Sequence, residues 1–257
     1  MTRRLVFVLL DGLAATAKQS LGFLKALEEA GLAGHCELTS ELPTLSRPLY
    51  ATLLCGLPPV QTGIVRNDAK MLCPMPTIFH QMRDAGLRTA AAAYYWISEL
   101  CNHTPFDADH DRLTDNLEMP INHGLFYTSD AYPDDELFRD AEWLRLRYEP
   151  DMLFVHSMGI DYAGHAFGAD STAYRNAARN ADALLARYLP RWFDAGYAAL
   201  ITSDHGMGDD GSHADATEQT RQVPFWLAGD AWRSLSMPAR QTEIAGLALK
   251  ALDIYKK

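Results

Sequence analysis

The sequence predicts a three-layer α/β/α sandwich on a mostly parallel central sheet, a single domain covering residues 1–257. Two observations carry that expectation. Short apolar runs alternate along the chain with helix-period segments, the pattern of a parallel sheet covered on both faces. Three of those runs end in carboxylates or imidazoles, at the rim where open parallel sheets bind ligands. No linker-like stretch divides the chain, and its length suffices for one well-buried core.

Taken in order, 5–10 (LVFVLL) reads as a buried strand closed by Asp11, with a helical segment to about Gly31 and a short strand over 36–39. The pattern turns helical over 46–55, with Pro48 near the start, where a missing N–H costs little. Residues 77–85 read as a helix, 89–94 as a strand and 134–148 as an amphipathic helix. A buried strand over 152–155, a long helix over 171–189, strands over 198–202 and 223–227, and a closing helix over 243–254 complete the pattern. The stretch 102–133 lacks periodicity, is rich in His, Asp, Asn and Pro, and is expected as a small cap over the site.

Hydrophobic residues make up 48% and charged residues 22%, an ordinary globular composition. The formal charge of −10, from 33 acidic and 23 basic residues, opposes binding to a nucleic-acid duplex. Divalent cations would offset that charge locally, so a small anionic substrate remains compatible with it. Cys36, Cys55, Cys73 and Cys101 form no CxxC pair and read as free thiols in a reducing compartment. The apolar run after Met1, Thr2, Arg3 and Arg4 is short and lacks a cleavage site, so it reads as a strand and not a secretory signal. No window approaches the roughly 18 apolar residues of a membrane span. The expected location is the cytoplasm, with no membrane partner.

Asp161 and His165 are four residues apart in a glycine-flanked segment, GIDYAGH. Asp204 and His205 adjoin within SDHGM, and His213 follows in GSH. One Asp–His pair is commonly a turn or a surface hydrogen bond. Three such groups at strand ends, with Asp11 as a fourth, point to a metal centre. Mixed oxygen and nitrogen donors suit zinc, or manganese, better than magnesium or calcium.

These motifs, with Pro43-Thr44-Leu45-Ser46-Arg47-Pro48, Gly56-Leu57-Pro58 and Thr62-Gly63-Ile64, give the chain a specific resemblance. It resembles the alkaline phosphatase superfamily, and within it the nucleotide pyrophosphatase/phosphodiesterase branch. The resemblance implies that Ser46 is the nucleophile, where the branch usually has threonine, and that Asn67 donates to the bound phosphoryl group. It implies two divalent metals: Asp11, Ser46, Asp204 and His205 would hold one, and Asp161, His165 and His213 the other. Tyr95 and Trp96 resemble an aromatic–tryptophan step near the family's pocket.

The chemistry stands beside the resemblance. A serine hydroxyl is a weak nucleophile unless a base or metal activates it. Cations about 4 Å apart can clamp both apical oxygens of an in-line displacement, and Asn67 would add a neutral hydrogen bond. The branch often places an aromatic directly after its nucleophile; Arg47 stands there instead, and it is expected either to pair with a substrate anion or to lie at the surface. His156 reads as a ligand-orienting or purely structural residue.

The expected function is hydrolysis of a phosphodiester or phosphomonoester through a covalent phosphoserine at Ser46, on a compact substrate. A phosphotransferase of the same superfamily, like phosphoglycerate mutases or phosphoethanolamine transferases, is the alternative. A metal-stabilised binding module is the non-enzymatic one.

Overall fold

The computed structural model describes residues 4–229 and 234–254; Met1, Thr2 and Arg3 lie outside them. The elements in chain order are β1 (Arg4–Leu10), a 3₁₀ turn (Ala15–Ser20), α1 (Gly22–Glu29), β2 (Ala33–Thr39), α2 (Ser46–Cys55), α3 (Pro59–Thr62), α4 (Ile78–Asp84) and β3 (Thr89–Tyr94). Next come α5 (Trp96–Cys101), α6 (Ala108–Asp111), β4 (Leu113–Asp115), β5 (His123–Tyr127), α7 (Asp134–Tyr148), β6 (Met152–Ser157) and α8 (Gly159–Phe167). The chain closes with α9 (Thr172–Asp194), β7 (Tyr197–Thr202), α10 (Glu218–Arg221), β8 (Gln222–Ala228), a 3₁₀ turn (Gln241–Glu243) and α11 (Ile244–Ala251).

One sheet runs in the order β2-β8-β7-β1-β6-β3-β5-β4. The inner strands β7, β1, β6, β3 and β5 pair in parallel, while β8, β2 and β4 join antiparallel at the edges. Side chains alternate across a strand, and β1 feeds both cores. Leu5, Phe7 and Leu9 pack with residues of α2, α4 and α11; Val6, Val8 and Leu10 pack with α1, α7 and α9. This is the three-layer sandwich.

Two expectations change. The stretch 102–133 is not simply a cap: it holds β4 and β5, which extend the sheet beyond β3. The long helix does not stop at 189. It runs through Pro190 to Asp194, because Trp192 is fully buried and its Nε1 donates to Glu142 at 2.8 Å. Tertiary packing there outweighs the backbone bond that proline forfeits.

The parallel core places the C-terminal ends of β1, β6 and β7 side by side. Leu10 is in register with Ser157, and Leu9 with Thr202. Asp11, His156 and Asp204 therefore meet at one rim.

Candidate active site

Asp11 extends β1, its N–H donating to the Ser157 carbonyl at 3.0 Å. The chain then turns at Gly12 with φ +71°, where a Cβ would lie 2.9 Å from the Asp161 backbone and side chain. Only glycine permits both that φ and that approach. Asp161 and His165 lie on α8, one turn apart, so both reach the same rim. Gly164, between them, sits where a Cβ would press on Met207, which lets α8 lie against the loop carrying Asp204 and His205.

Ser46 is the first residue of α2, with Leu45 extended before it as the N-cap, so its hydroxyl is not spent on capping. Its Oγ lies 3.1 Å from His205 Nε2. The Arg47 N–H at this helix start donates to Asn67 Oδ1 at 3.0 Å. That bond uses the acceptor end of the amide and leaves its NH₂ as the end free to donate.

The three histidines share one arrangement. Each Nδ1 lies against a backbone carbonyl: His205 against Gly206 at 2.9 Å, His213 against Thr44 at 2.6 Å and His165 against Gly211 at 2.8 Å. A carbonyl can only accept, so each Nδ1 carries the proton, and in the neutral ring Nε2 is a lone pair. Those lone pairs face carboxylates. His205 Nε2 is 3.2 Å from Asp204 and 3.6 Å from Asp11; His165 Nε2 is 3.4 Å and His213 Nε2 4.0 Å from Asp161.

Asp11 and Asp204 are each half satisfied. Asp11 Oδ2 accepts from the Tyr50 hydroxyl and from His156 Nε2, the latter at 3.2 Å. Asp204 Oδ1 accepts from the Gly12 N–H at 3.3 Å. Asp11 Oδ1, Asp204 Oδ2 and Asp161 Oδ1 are buried with no hydrogen-bond partner. Burial, followed by mutual repulsion, raises Asp11 and Asp161 well above the usual carboxylate range, and burial foremost lifts Asp204 to about 6. Burial also lowers His156, His205 and His213 to about 3, keeping their rings neutral.

Acceptors thus point at acceptors, with no compensating positive charge among their ion pairs in the described residues. Bound cations would resolve the conflict, and the donor set fits them. Asp11, Asp204 and His205 bring donor atoms within 4.8 Å of one another, as do Asp161, His205 and His213. His205 belongs to both groups, where the sequence assigned it to one. His165 stands at the edge, with its side chain 48% exposed.

The other expected substrate contacts fare differently. Arg47 is neither at the surface nor open to an anion: it is 1% exposed, bound to Glu99 at 2.6 Å and to the Ala69 carbonyl at 3.1 Å, and lies over the Trp96 ring at 4.5 Å. Its charge is already matched within the fold, and Trp96 serves as its cover. Tyr95 is partly exposed and packs on Phe106 and Tyr94.

Sequence reasoning passed over Tyr50 and Thr44. Tyr50 falls one helical turn after Ser46, a spacing that puts both on one face of α2 and could have marked it. Thr44 carried no such signal, because its partner His213 is 169 positions away.

A family profile described as type I phosphodiesterase / nucleotide pyrophosphatase matches residues 5–221. GPI ethanolamine phosphate transferase 1 of Schizosaccharomyces pombe is 24% identical over 84% of this chain and 25% of its own length. The chain spans about a quarter of the length of the curated relatives it matches. Murine ectonucleotide pyrophosphatase / phosphodiesterase 5 superposes with a TM-score of 0.68 at 15% identity, over 98% of this chain and 96% of that one. The C-terminal periplasmic domain of EcEptC from Escherichia coli, solved in complex with Zn, gives 0.68 at 13% identity over 98% and 82%. The profile match over residues 5–221, on a fold and rim that agree with it, places this chain in the type I phosphodiesterase / nucleotide pyrophosphatase family of the alkaline phosphatase superfamily.

Proposed function

We propose that this chain cleaves a small phosphate ester through a covalent intermediate on Ser46 and hands the phosphoryl-bearing group to an alcohol. The observation that carries this reading is the convergence of three Nε2 lone pairs and three orphaned carboxylate oxygens beside the Ser46 hydroxyl. Asp11, Asp204 and His205, with Ser46, would hold one divalent cation, and Asp161, His165 and His213 the other; mixed Asp and His donors favour zinc or manganese. When bound, such cations lower the pKa of a nearby hydroxyl and offset charge on the attacking and departing oxygens.

The chain's own groups do the rest. The Ser46 oxygen forms a bond to phosphorus as the bond to the leaving oxygen breaks, and the leaving group departs as the alcohol with the proton that Ser46 gives up. The acceptor oxygen then bonds to phosphorus, and the Ser46 oxygen departs with the proton that the acceptor gives up. The Asn67 NH₂, oriented by the Arg47 N–H, is available to a non-bridging oxygen. Tyr50 and His156 hold Asp11, and the three backbone carbonyls hold the imidazoles.

Transfer to an alcohol is favoured over the hydrolysis expected from sequence by the curated relatives, which are named as transferases. Water as acceptor is the second reading, favoured by the family description. Phosphorus NMR of metal-replete protein with bis(nitrophenyl) phosphate and added ethanolamine separates them. A new ethanolamine ester supports transfer, and free nitrophenyl phosphate regardless of acceptor supports hydrolysis. No nitrophenol release from any ester would sink both.

A further inference from the structure

Gln241 is fully buried and is not one of the candidate ligands. It opens the 3₁₀ turn before α11, beyond the residues 5–221 that the family profile matches. Both ends of its amide are engaged. Nε2 donates to the Asp204 carbonyl at 2.7 Å, and Oε1 accepts the Glu41 N–H at 3.0 Å. The Asp204 carbonyl takes a second bond, from the Ser40 hydroxyl at 2.5 Å, so both of its lone pairs are used. Ser40 is itself fixed: its N–H donates to the Arg221 carbonyl at 2.8 Å, and its own carbonyl accepts Arg221 Nε and Nη2 at 3.1 and 2.9 Å.

The doubly held carbonyl belongs to the peptide that joins two candidate ligands of one cation. A peptide is planar, so this oxygen and the Cα atoms of Asp204 and His205 share one plane. Rotation of that plane would swing the carboxylate and the imidazole away from a common point, and two donors on the oxygen oppose it. Both donors are tied to the segment between β2 and α2, which presents Ser46. The same turn also abuts the far end of α2, where a Cβ on the left-handed C-cap Gly56 would fall 3.0 Å from the Thr242 carbonyl.

We propose that Gln241 and Ser40 are positioning residues that clamp the Asp204–His205 peptide to the segment presenting Ser46. The clamp sets the affinity of the cation that Asp11, Ser46, Asp204 and His205 would share. The other candidate ligands are held elsewhere: Asp161 and His165 lie on α8, and His213 is fixed by Thr44. His205 faces both groups, but the second keeps these three donors. The clamp therefore acts on one cation and spares the other.

This inference rests on the two-cation reading of the site, and the experiment separates the two. Zinc binding to the metal-stripped full chain is measured by competition with a chelating dye for wild type, Gln241→Met and Ser40→Ala. Gln241→Met keeps the side chain's length and removes both of its bonds; Ser40→Ala removes the other donor with a smaller change of shape. Wild type is expected to take up about two equivalents of zinc. Each variant is expected to weaken one equivalent by about 10- to 100-fold, as loss of a partner behind a ligand does, and to leave the other unchanged. Unchanged affinity in either variant overturns the clamp. An equal loss of both equivalents overturns it too, since a general loosening of the fold would do that. If Gln241→Met does not fold, Ser40→Ala decides by the same outcomes. Wild type that takes up no zinc would instead overturn the two-cation reading.

Discussion

Thr44 and His213 hold each other by two reciprocal bonds: the His213 Nδ1 proton goes to the Thr44 carbonyl at 2.6 Å, and the Thr44 hydroxyl donates to the His213 carbonyl at 2.5 Å. Thr44 lies two residues before the proposed nucleophile, so one couple ties a candidate metal ligand to the segment that leads into α2 and presents Ser46. Thr44→Val keeps the shape and removes one donor. Metal affinity, read by competition with a chelating dye, should fall by about 10- to 100-fold. Unchanged affinity would mean that the Nδ1 bond to the backbone carbonyl at position 44, which the variant keeps, is enough to hold the ring.

Ser46→Ala removes the hydroxyl that sits 3.1 Å from His205 Nε2 while leaving the carboxylates and imidazoles in place. Turnover of a nitrophenyl ester should fall at least about 1,000-fold. Elemental analysis should still find metal on the variant. Full turnover would remove Ser46 from the mechanism, and lost metal with lost turnover would recast it as chiefly a ligand.

The Arg47–Glu99 pair is buried on both sides, at 1% and 2% exposure of the two side chains. Glu99 also accepts the Phe106 N–H at 2.8 Å. Glu99→Ala leaves a guanidinium without its counter-charge, which costs about 3–5 kcal/mol in such settings. Urea denaturation should show that loss as a lower midpoint. A change within about 0.5 kcal/mol would mean that Arg47 finds another partner within the fold.

Arg47 marks where sequence stops being informative. Position next to a nucleophile suggested a role in binding, yet its fate depends on Glu99, 52 positions away. The helix over 46–55 and the strand over 89–94 were legible because hydrophobic periodicity is local and the structure repeats both bounds. β4 was not, because Leu113 is 67% exposed and the strand has only three residues. The antiparallel direction of β8 follows from which neighbour it meets, and its apolar run reads the same either way. Asp11, Asp161, Asp204 and the histidines were visible because strand ends are where a parallel sheet displays its chemistry. The tautomer-setting carbonyls of Thr44, Gly206 and Gly211 belong to the backbone and carry no residue signature.

Asp134 opens α7 at 7% exposure and accepts from the Ser157 hydroxyl at 2.6 Å. Its other oxygen lies where a Cβ on Gly159 would fall, so the start of α8 closes over it. Burial outweighs the Ser157 bond and raises its pKa from 3.8 to about 6. The native state therefore holds this proton more tightly than the unfolded chain. Its contribution to stability is fully present below about pH 4 and is lost as pH rises through about 6. Asp134→Asn keeps the acceptor for Ser157 and removes the charge. The variant should be more stable than wild type at about pH 8, by up to about 3 kcal/mol, and the two should converge below about pH 4. Urea midpoints measured across that range check the sign. A variant less stable than wild type at high pH would show that the ionised Asp134 is favoured at the start of α7, with the helix dipole outweighing burial.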